Sequence, residues 1–171
     1  DAKITFRAPY TYKSGRQLLI DSATWKSLEI DSPINDGGAC LIDVLDETRT
    51  ASGARKLRSY LRNLSGDIDE IRRRQMHIVH FKSNYDIRAS ISSVLSIVPD
   101  VGRSLSRLLS GRGTPRDMRH ISEFLNVLPR AQILAPRLDS DFSSRFAAIN
   151  VHSDFAFKLS SALSDELPPF F

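Results

Sequence analysis

The chain has 171 residues, of which 41% are hydrophobic and 26% charged, and its net charge is +4. These values are ordinary for one water-soluble domain with a sizeable core, and the mild positive charge permits an anionic partner without requiring one. A single cysteine, Cys40, excludes an internal disulfide framework. No apolar run approaches the roughly 20 residues that span a bilayer, and no secretion signal opens the chain. We therefore predict a cytoplasmic protein with no membrane partner.

The first part of the chain is predicted to lead into a helical region. Over residues 1–20, apolar residues alternate with polar ones and turn formers interrupt them, which favours an extended lead-in or the end of a connector. Residues 18–20 are expected to form a short apolar strand or approach segment. Asp21 is then expected to cap a short helix that buries Trp25 and Leu28. A loop rich in turn formers follows over residues 31–38. The abrupt start at Asp1 and the apolar end predict a piece of a longer protein.

Residues 41–75 are predicted to form a helical hairpin. Apolar residues recur at three- and four-residue steps after Thr50, and Ser65-Gly66 then breaks the helix. Asp67 and Glu70 have the spacing of a capping box at the start of the second helix, which is expected to fail near residues 83–84. The outer surface of the hairpin is basic, and its cations are Arg55, Lys56, Arg58, Arg62, Arg72, Arg73 and Arg74.

Further helices are predicted over residues 85–98, 101–109 and 115–134. Pro115 suits the first turn of the last of these, and Pro129 predicts a kink or an end inside it. Beyond residue 138, an apolar stripe indicates one long amphipathic helix from Asp141 to about Glu166. We expect this helix to fold back on the rest of the chain or to pair with a second copy, because its stripe would otherwise be left in water.

The order of residues in the hairpin also resembles a known family. The matching residues are Leu41, Leu45, Asp46, Thr48, Thr50, Gly53, Arg55, Leu57, Arg58, Tyr60, Leu61, Ile71, Arg74 and Gln75. Their types and spacing resemble the core domain of the MutS family of DNA mismatch-repair proteins. The resemblance covers about residues 20–128 and includes Asp21, Thr24, Leu28 and Glu29 before the hairpin, and Asp100, Arg103, Leu105, Arg107, Leu108, Pro115, Arg116 and Asp117 after it. Three positions depart from the family pattern, and they are Tyr60, Leu64 and Gly102, where the family has tryptophan, proline and glutamate.

The resemblance implies a structural function. It implies a helical core that links mismatch-reading and DNA-gripping parts to an ATPase part, with ATP and magnesium bound outside this segment. The parent would act as a homodimer on mismatched double-stranded DNA and contact this segment through its other domains. Residues 21–138 would be the helical core, and residues 139–171 would lead toward an absent clamp insertion.

Other candidate sites are weak in the sequence. His77 and His80 lie at i and i+3 and suit either a shared metal or ordinary histidines, and no further ligand stands at convincing spacing. Asp43, Asp46 and Glu47 are candidate paired acids, although Asp46 suits a tie to the loop before Thr50. Gly111-Arg112-Gly113-Thr114 suits an anion nest or, more simply, a turn, because the Gly-Lys-Ser/Thr phosphate-binding pattern is absent. Cys40 has no partner base and is interpreted as a small apolar residue.

We therefore predict an all-α multi-helix bundle with a short extended N-terminal segment. We predict no catalytic, cofactor-binding or metal-binding residue in this chain, and no enzymatic activity. Two other functions stay open at this point: a stand-alone basic nucleic-acid-binding module, and a helical protein-interaction scaffold. Arg55 and Arg58 have open roles as well, since they suit either DNA contacts or interdomain ion pairs.

Overall fold

The computed structural model describes residues 18–164 and 166–168, and its regular structure in that part of the chain is helical. Residues 1–17 of the extended lead-in predicted over residues 1–20 lie outside the described residues. The helices are α1 Ser22–Ser27, α2 Leu41–Leu45, α3 Ala51–Arg62, α4 Ile68–Ser83, α5 Tyr85–Ser96, α6 Val101–Leu109, α7 Pro115–Ile133, α8 Ser140–Ala147 and α9 Ser153–Ala162, with one 3-10 turn at Ala135–Arg137. The prediction of an all-α, multi-helix fold is confirmed. Within the described residues, none of the helices has the length and apolar character needed to cross a membrane.

The segment before α3 is held by loop contacts and one small buried cluster. Asp21 caps α1 as predicted, but Leu28 is 56% exposed, so its predicted burial is wrong. The helix ends at Leu28 because Glu29 has a φ of 46°, which turns the chain away from the helical path. Ile30 and Ile42 are buried instead, and the Ile42 N–H donates to the Ile30 carbonyl at 3.0 Å.

Helices α3 and α4 flank the predicted Ser65-Gly66 break. The Thr50 hydroxyl accepts from the Gly53 N–H at 2.9 Å, which confirms the predicted start of α3. Arg74 of α4 lies over the Tyr60 ring of α3 at 4.1 Å, so the two helices are in contact across the break.

Asp67 caps α4 as predicted, but the reciprocal bond of a capping box is replaced. The Asp67 N–H donates to the Ser65 hydroxyl at 3.2 Å, while the Glu70 carboxylate accepts from that hydroxyl at 2.7 Å. Glu70 also accepts from Arg74 one turn later, so its oxygens are held away from the Asp67 N–H. The serine therefore relays the contact that a capping box would make directly.

The main core lies where α7 meets α9. Leu125, Ala156 and Leu159 are buried there, and four partly buried side chains pack against them: Met118, Ile121, Leu128 and Leu163. Each large apolar side chain that is fully buried stabilises the fold by roughly 1.5 to 3 kcal/mol. Helix α7 continues through Pro129 to Ile133, so the helix does not end at this proline.

The predicted long helix over residues 141–166 is wrong, because the structure has two helices, α8 and α9. His152 adopts a left-handed conformation with φ of 45°, and its N–H donates to the Asn150 side chain at 3.1 Å. This local turn breaks the helical hydrogen bonding without a proline or glycine. The turn lets α9 fold back onto α7, which confirms the fold-back alternative for the apolar stripe.

Candidate functional site

An ion pair joins α3 to the start of α6. Each terminal nitrogen of the Arg55 guanidinium donates to a different oxygen of Asp100, and both distances are 2.7 Å. Asp100 also caps α6 by accepting from the Arg103 N–H at 3.4 Å. The Arg55 guanidinium holds the pKa of the Asp100 carboxyl below its usual value. Arg55 was a candidate for DNA or interdomain contacts, and the structure places it in an ion pair between two helices of this chain. We call such a charged contact between helices a joint.

A second joint connects α6 to α7. The Arg107 Nε donates to the two Asp117 oxygens at 3.0 and 3.1 Å, and Asp117 is only 2% exposed. Asp117 also accepts the Thr114 N–H and hydroxyl, which fixes the first turn of α7. The Arg107 guanidinium outweighs the opposing effect of burial and holds the pKa of the Asp117 carboxyl far below its ordinary range.

Ser104 and His120 extend this second joint into a buried polar network. The Ser104 hydroxyl lies 2.9 Å from His120 Nδ1 and accepts from Arg107 at 3.2 Å. Serine, histidine and aspartate in one cluster resemble a hydrolytic triad. However, Ser104 has no exposed surface, and Asp117 orients Arg107 and Thr114 instead of the imidazole. A nucleophile that no substrate can reach indicates a structural network. Sequence reasoning missed this network, because these residues lie on two separate helices.

A third joint runs from α4 to α8 through His77. Its Nδ1 lies 2.9 Å from Asp139 and its Nε2 lies 3.2 Å from Asp141, with the ring against Phe142 at 4.5 Å. Burial of the Asp139 carboxyl would raise its pKa, but the His77 hydrogen bond and the α8 N–H groups lower it overall. His77 therefore contacts carboxylates while His80 contacts Phe81, so the two candidate histidines do not converge on one point. In the part of the chain that the structure describes, no three His, Cys, Asp or Glu side chains are arranged so that they could hold a metal ion.

The candidate acids and Cys40 serve local geometry. Asp46 accepts from the Thr48 N–H and hydroxyl, at 3.2 and 2.6 Å, and so ties the loop before α3. Asp43 accepts from the N–H and the thiol of Cys40, at 3.1 and 3.0 Å. Cys40 is buried, as expected of a small apolar residue.

The Gly111-Arg112-Gly113-Thr114 segment forms a turn that ends α6 and begins α7. Gly111 has φ of +69°, and its N–H donates to the Leu108 carbonyl. The Arg112 N–H donates to the Arg107 carbonyl at 2.9 Å, which completes a Schellman motif. Since the Thr114 N–H donates to Asp117, three of the four N–H groups of the candidate anion nest are used inside the chain.

Most cations of the basic hairpin also have internal partners. Arg62 pairs with Asp31 at 2.7 Å, and Arg58 lies 3.9 Å from Asp46. Arg74 pairs with Glu70 and covers the Tyr60 ring at 4.1 Å, while Lys56 lies 4.6 Å from the same ring centre. Most of the basic side chains of the hairpin therefore form ion pairs or pack on an aromatic ring within the chain.

Comparison with known proteins decides the family. The profile of MutS domain III matches residues 23–169. This chain belongs to the MutS family.

The relatives are several times longer than this MutS segment. The DNA mismatch repair protein MutS of Wolbachia pipientis wMel is 31% identical over 92% of this chain and 22% of its own length. The Rhodopirellula baltica MutS is 33% identical over 95% of this chain and 19% of its own length. The Paracoccus denitrificans MutS is 36% identical over 67% of this chain and 13% of its own length. The chain thus spans about a fifth of the first relatives that it matches.

Four of the residues that carry the MutS resemblance form joints of this segment. Arg55, Asp100, Arg107 and Asp117 all belong to the resemblance and form the first two joints. Of the departures, Tyr60 supports Arg74, and the Leu64 carbonyl accepts from the Leu18 N–H. At Gly102, a Cβ would meet only the Asp100 carboxylate at 4.0 Å, so local crowding does not require glycine there.

Proposed function

We propose that this MutS domain III segment is the mechanical link of a longer mismatch-repair protein. It holds the parts that read and grip mismatched DNA in register with the part that hydrolyses ATP. The longer protein acts in the cytoplasm as a homodimer. Residues 21–138 are the core of the link, and residues 139–171 lead toward a clamp insertion, although α8 and α9 pack into the same helical unit.

The observation that carries this proposal is the chain of three joints. They bridge residues that are 45, 10 and 62 positions apart, and together they connect α3 to α6, α6 to α7, and α4 to α8. Bidentate and charge-assisted pairs fix the angle between their elements as well as their distance. Helices held this way move together, so a small shift at one end is carried to the other.

The proposal also assigns no enzymatic activity to the segment. Its sequence contains no Gly-x-x-x-x-Gly-Lys-Ser/Thr loop to hold ATP phosphates with magnesium. Its buried serine, histidine and aspartate are committed to the joint between α6 and α7. A stand-alone nucleic-acid-binding module receives less support, because five of the seven hairpin cations contact internal partners.

The mechanical link is tested in the longer protein by measuring how far mismatched DNA changes ATP turnover. Arg55→Met is expected to reduce that response while ATP turnover without DNA is unchanged. Exchanging the two charges, Arg55→Asp with Asp100→Arg, should restore part of the response. Arg72→Met, on an exposed face of α4, is the control. An unchanged response in Arg55→Met, with hydrogen exchange showing a loosened α6 start, would contradict the link.

The absence of a nucleotide site is tested separately by titrating ATP-magnesium into this chain in a calorimeter. No heat of binding is expected. Micromolar binding would place a nucleotide site inside this segment and overturn that part of the proposal.

A further inference from the structure

A groove lies between the loop that precedes α3 and one face of α5. Its apolar floor is formed by Phe81, Ile91 and Leu95, and the last of these is 39% exposed. Arg49 stands on the α3 side and Arg88 on the α5 side. None of the three joints uses these side chains, so the MutS link described above does not account for the groove.

The two arginines keep most of their hydrogen-bonding capacity. Arg49 Nε donates to the Ser92 hydroxyl at 3.0 Å across the groove, and Arg88 donates to the Phe81 carbonyl at 3.1 Å. The Arg88 guanidinium also lies 5.3 Å from the centre of the Tyr85 ring. A guanidinium has five N–H donors, so each arginine retains donors for a ligand.

No carboxylate in the described part of the chain forms an ion pair with either arginine. This differs from Arg55, Arg62, Arg74 and Arg107, each of which has an acidic partner. Among the described residues, the one acidic side chain lining the groove is Glu47. Two unpaired guanidinium groups beside an apolar floor favour a ligand that carries negative charge and an apolar group.

We propose that this groove binds an acidic peptide segment that carries an apolar side chain. The apolar side chain would pack on Ile91 and Leu95, which lie one helical turn apart on α5. Carboxylates on either side would accept from Arg49 and Arg88. This assignment goes beyond the mechanical link and does not depend on it.

Charge and lining favour this occupant over three others. Residues 1–17 of the chain carry four basic side chains and one acidic one, so their charge does not complement the arginines. A second copy carries the same net charge of +4 and would be repelled at long range. A nucleic-acid strand offers phosphates and would meet the rings of Phe81 and Tyr85, but aliphatic Ile91 and Leu95 add a lining that suits an apolar side chain better than a polar base.

The test is fluorescence anisotropy with this chain and a short labelled peptide in which Asp and Glu alternate with Leu and Phe. Arg49→Ala and Arg88→Ala are each expected to weaken binding roughly threefold to tenfold. Glu47→Gln is expected to strengthen binding about twofold, because it removes from the groove a negative charge that repels the carboxylates of the peptide. The matched control is Arg130→Ala, an exposed arginine on α7 outside the groove, which should leave binding unchanged.

Two control peptides test the charged and the apolar contacts separately. A peptide with Lys in place of each acid, and one with Ser in place of Leu and Phe, should both bind more weakly than the acidic apolar peptide. Amide chemical-shift changes should be confined to α5, the loop before α3 and the end of α4 around Phe81, and binding should weaken as salt is added.

Several results would overturn the proposal. One is equal binding of the acidic and lysine peptides, and another is binding that none of the groove variants changes. Tighter binding of a labelled oligonucleotide that displaces the peptide would assign the groove to nucleic acid. Concentration-dependent dimerisation that Arg88→Ala abolishes, together with no peptide binding, would assign it to a second copy.

Discussion

Arg55 and Asp100 form a bidentate ion pair across 45 residues, and the same carboxylate caps α6. One side chain thus fixes both the start of a helix and the position of another helix against it. Because Arg55 is 39% exposed and Asp100 is 21% exposed, water screens this pair only in part.

Removing the Arg55 side of this joint is expected to lower stability toward urea. Arg55→Met leaves the Asp100 carboxylate half-buried without its partner, which is less favourable than leaving it in water. Arg62→Met is the matched control, because the Arg62 side chain is 63% exposed and its pair with Asp31 is expected to contribute little. Urea unfolding monitored by circular dichroism should give a lower midpoint for Arg55→Met than for Arg62→Met. Equal midpoints for the two variants would show that the Arg55 pair is also a surface contact.

The Asp117 carboxylate is expected to matter more for stability than any exposed acid on α7. Asp117→Ala should cost about 1 to 3 kcal/mol, because it leaves the part-buried Thr114 N–H without its acceptor and removes the partner of the Arg107 guanidinium, which is 44% exposed. Glu123→Ala, on the exposed side of the same helix, should change the free energy of unfolding by less than about 0.5 kcal/mol. If Asp117→Ala costs less than about 1 kcal/mol, the buried network does not hold α6 against α7.

Stability is expected to fall in acid, and Asp117 should account for part of the fall. The folded-state pKa of Asp117 lies far below its unfolded value because of Arg107, and that of Asp100 is lowered by Arg55. Below about pH 4 the unfolded chain binds protons at these carboxyls while the folded chain does not, so unfolding is favoured. The contribution is fully present above that pH and is lost as the pH falls through the folded-state pKa values.

The measurement is the urea midpoint of the wild type and of Asp117→Asn at about pH 6 and about pH 3. The variant should lose less stability between the two conditions than the wild type does. An equal loss in both would contradict the assignment of the lowered pKa to Asp117.

Two glycines of the turn between α6 and α7 are expected to resist substitution for different reasons. A Cβ at Gly113 would lie 2.4 Å from the Leu108 side chain and 2.8 Å from its Cα, so Gly113→Ala should cost about 1 to 3 kcal/mol through overpacking. Gly111 has open space around it but a φ of +69°, so Gly111→Ala should cost about 1 kcal/mol through backbone strain. Gly102→Ala is the control, since α6 has room there and alanine favours a helix. Thermal unfolding should give the lowest midpoint for Gly113→Ala, a higher one for Gly111→Ala and the highest for Gly102→Ala. An unchanged midpoint in Gly113→Ala would show that the α6–α7 contact is looser than described.

Local signals in the sequence predicted helix boundaries well. The caps at Asp21, Thr50 and Asp67 and the first-turn proline at Pro115 were all predicted, because each depends on residues at most a few positions apart. The break between α8 and α9 was missed, because Asn150 and His152 form it without glycine or proline, and the apolar stripe continues across it.

The partners of the charged residues were not predictable from spacing alone. Arg55 and His77 contact acids 45 and 62 positions away. The residues around each of them have the pattern of an ordinary solvent-exposed helix face. The family resemblance marked Arg55, Asp100, Arg107 and Asp117 as important residues, but only the folded chain shows which of them pair. The groove beside α5 was also missed, since it depends on how the loop before α3 lies against that helix.

The central claim is that the charged residues of this chain serve as joints between helices and do not read mismatched bases. The most direct test is fluorescence anisotropy of this chain with a matched and a mismatched duplex of the same sequence context at two salt concentrations. We predict weak binding that falls with added salt and is equal for the two duplexes, because arginines that contact only phosphates carry no base information. A preference of about tenfold or more for the mismatched duplex, equivalent to about 1.4 kcal/mol, would contradict the account and place a mismatch-reading element inside this chain.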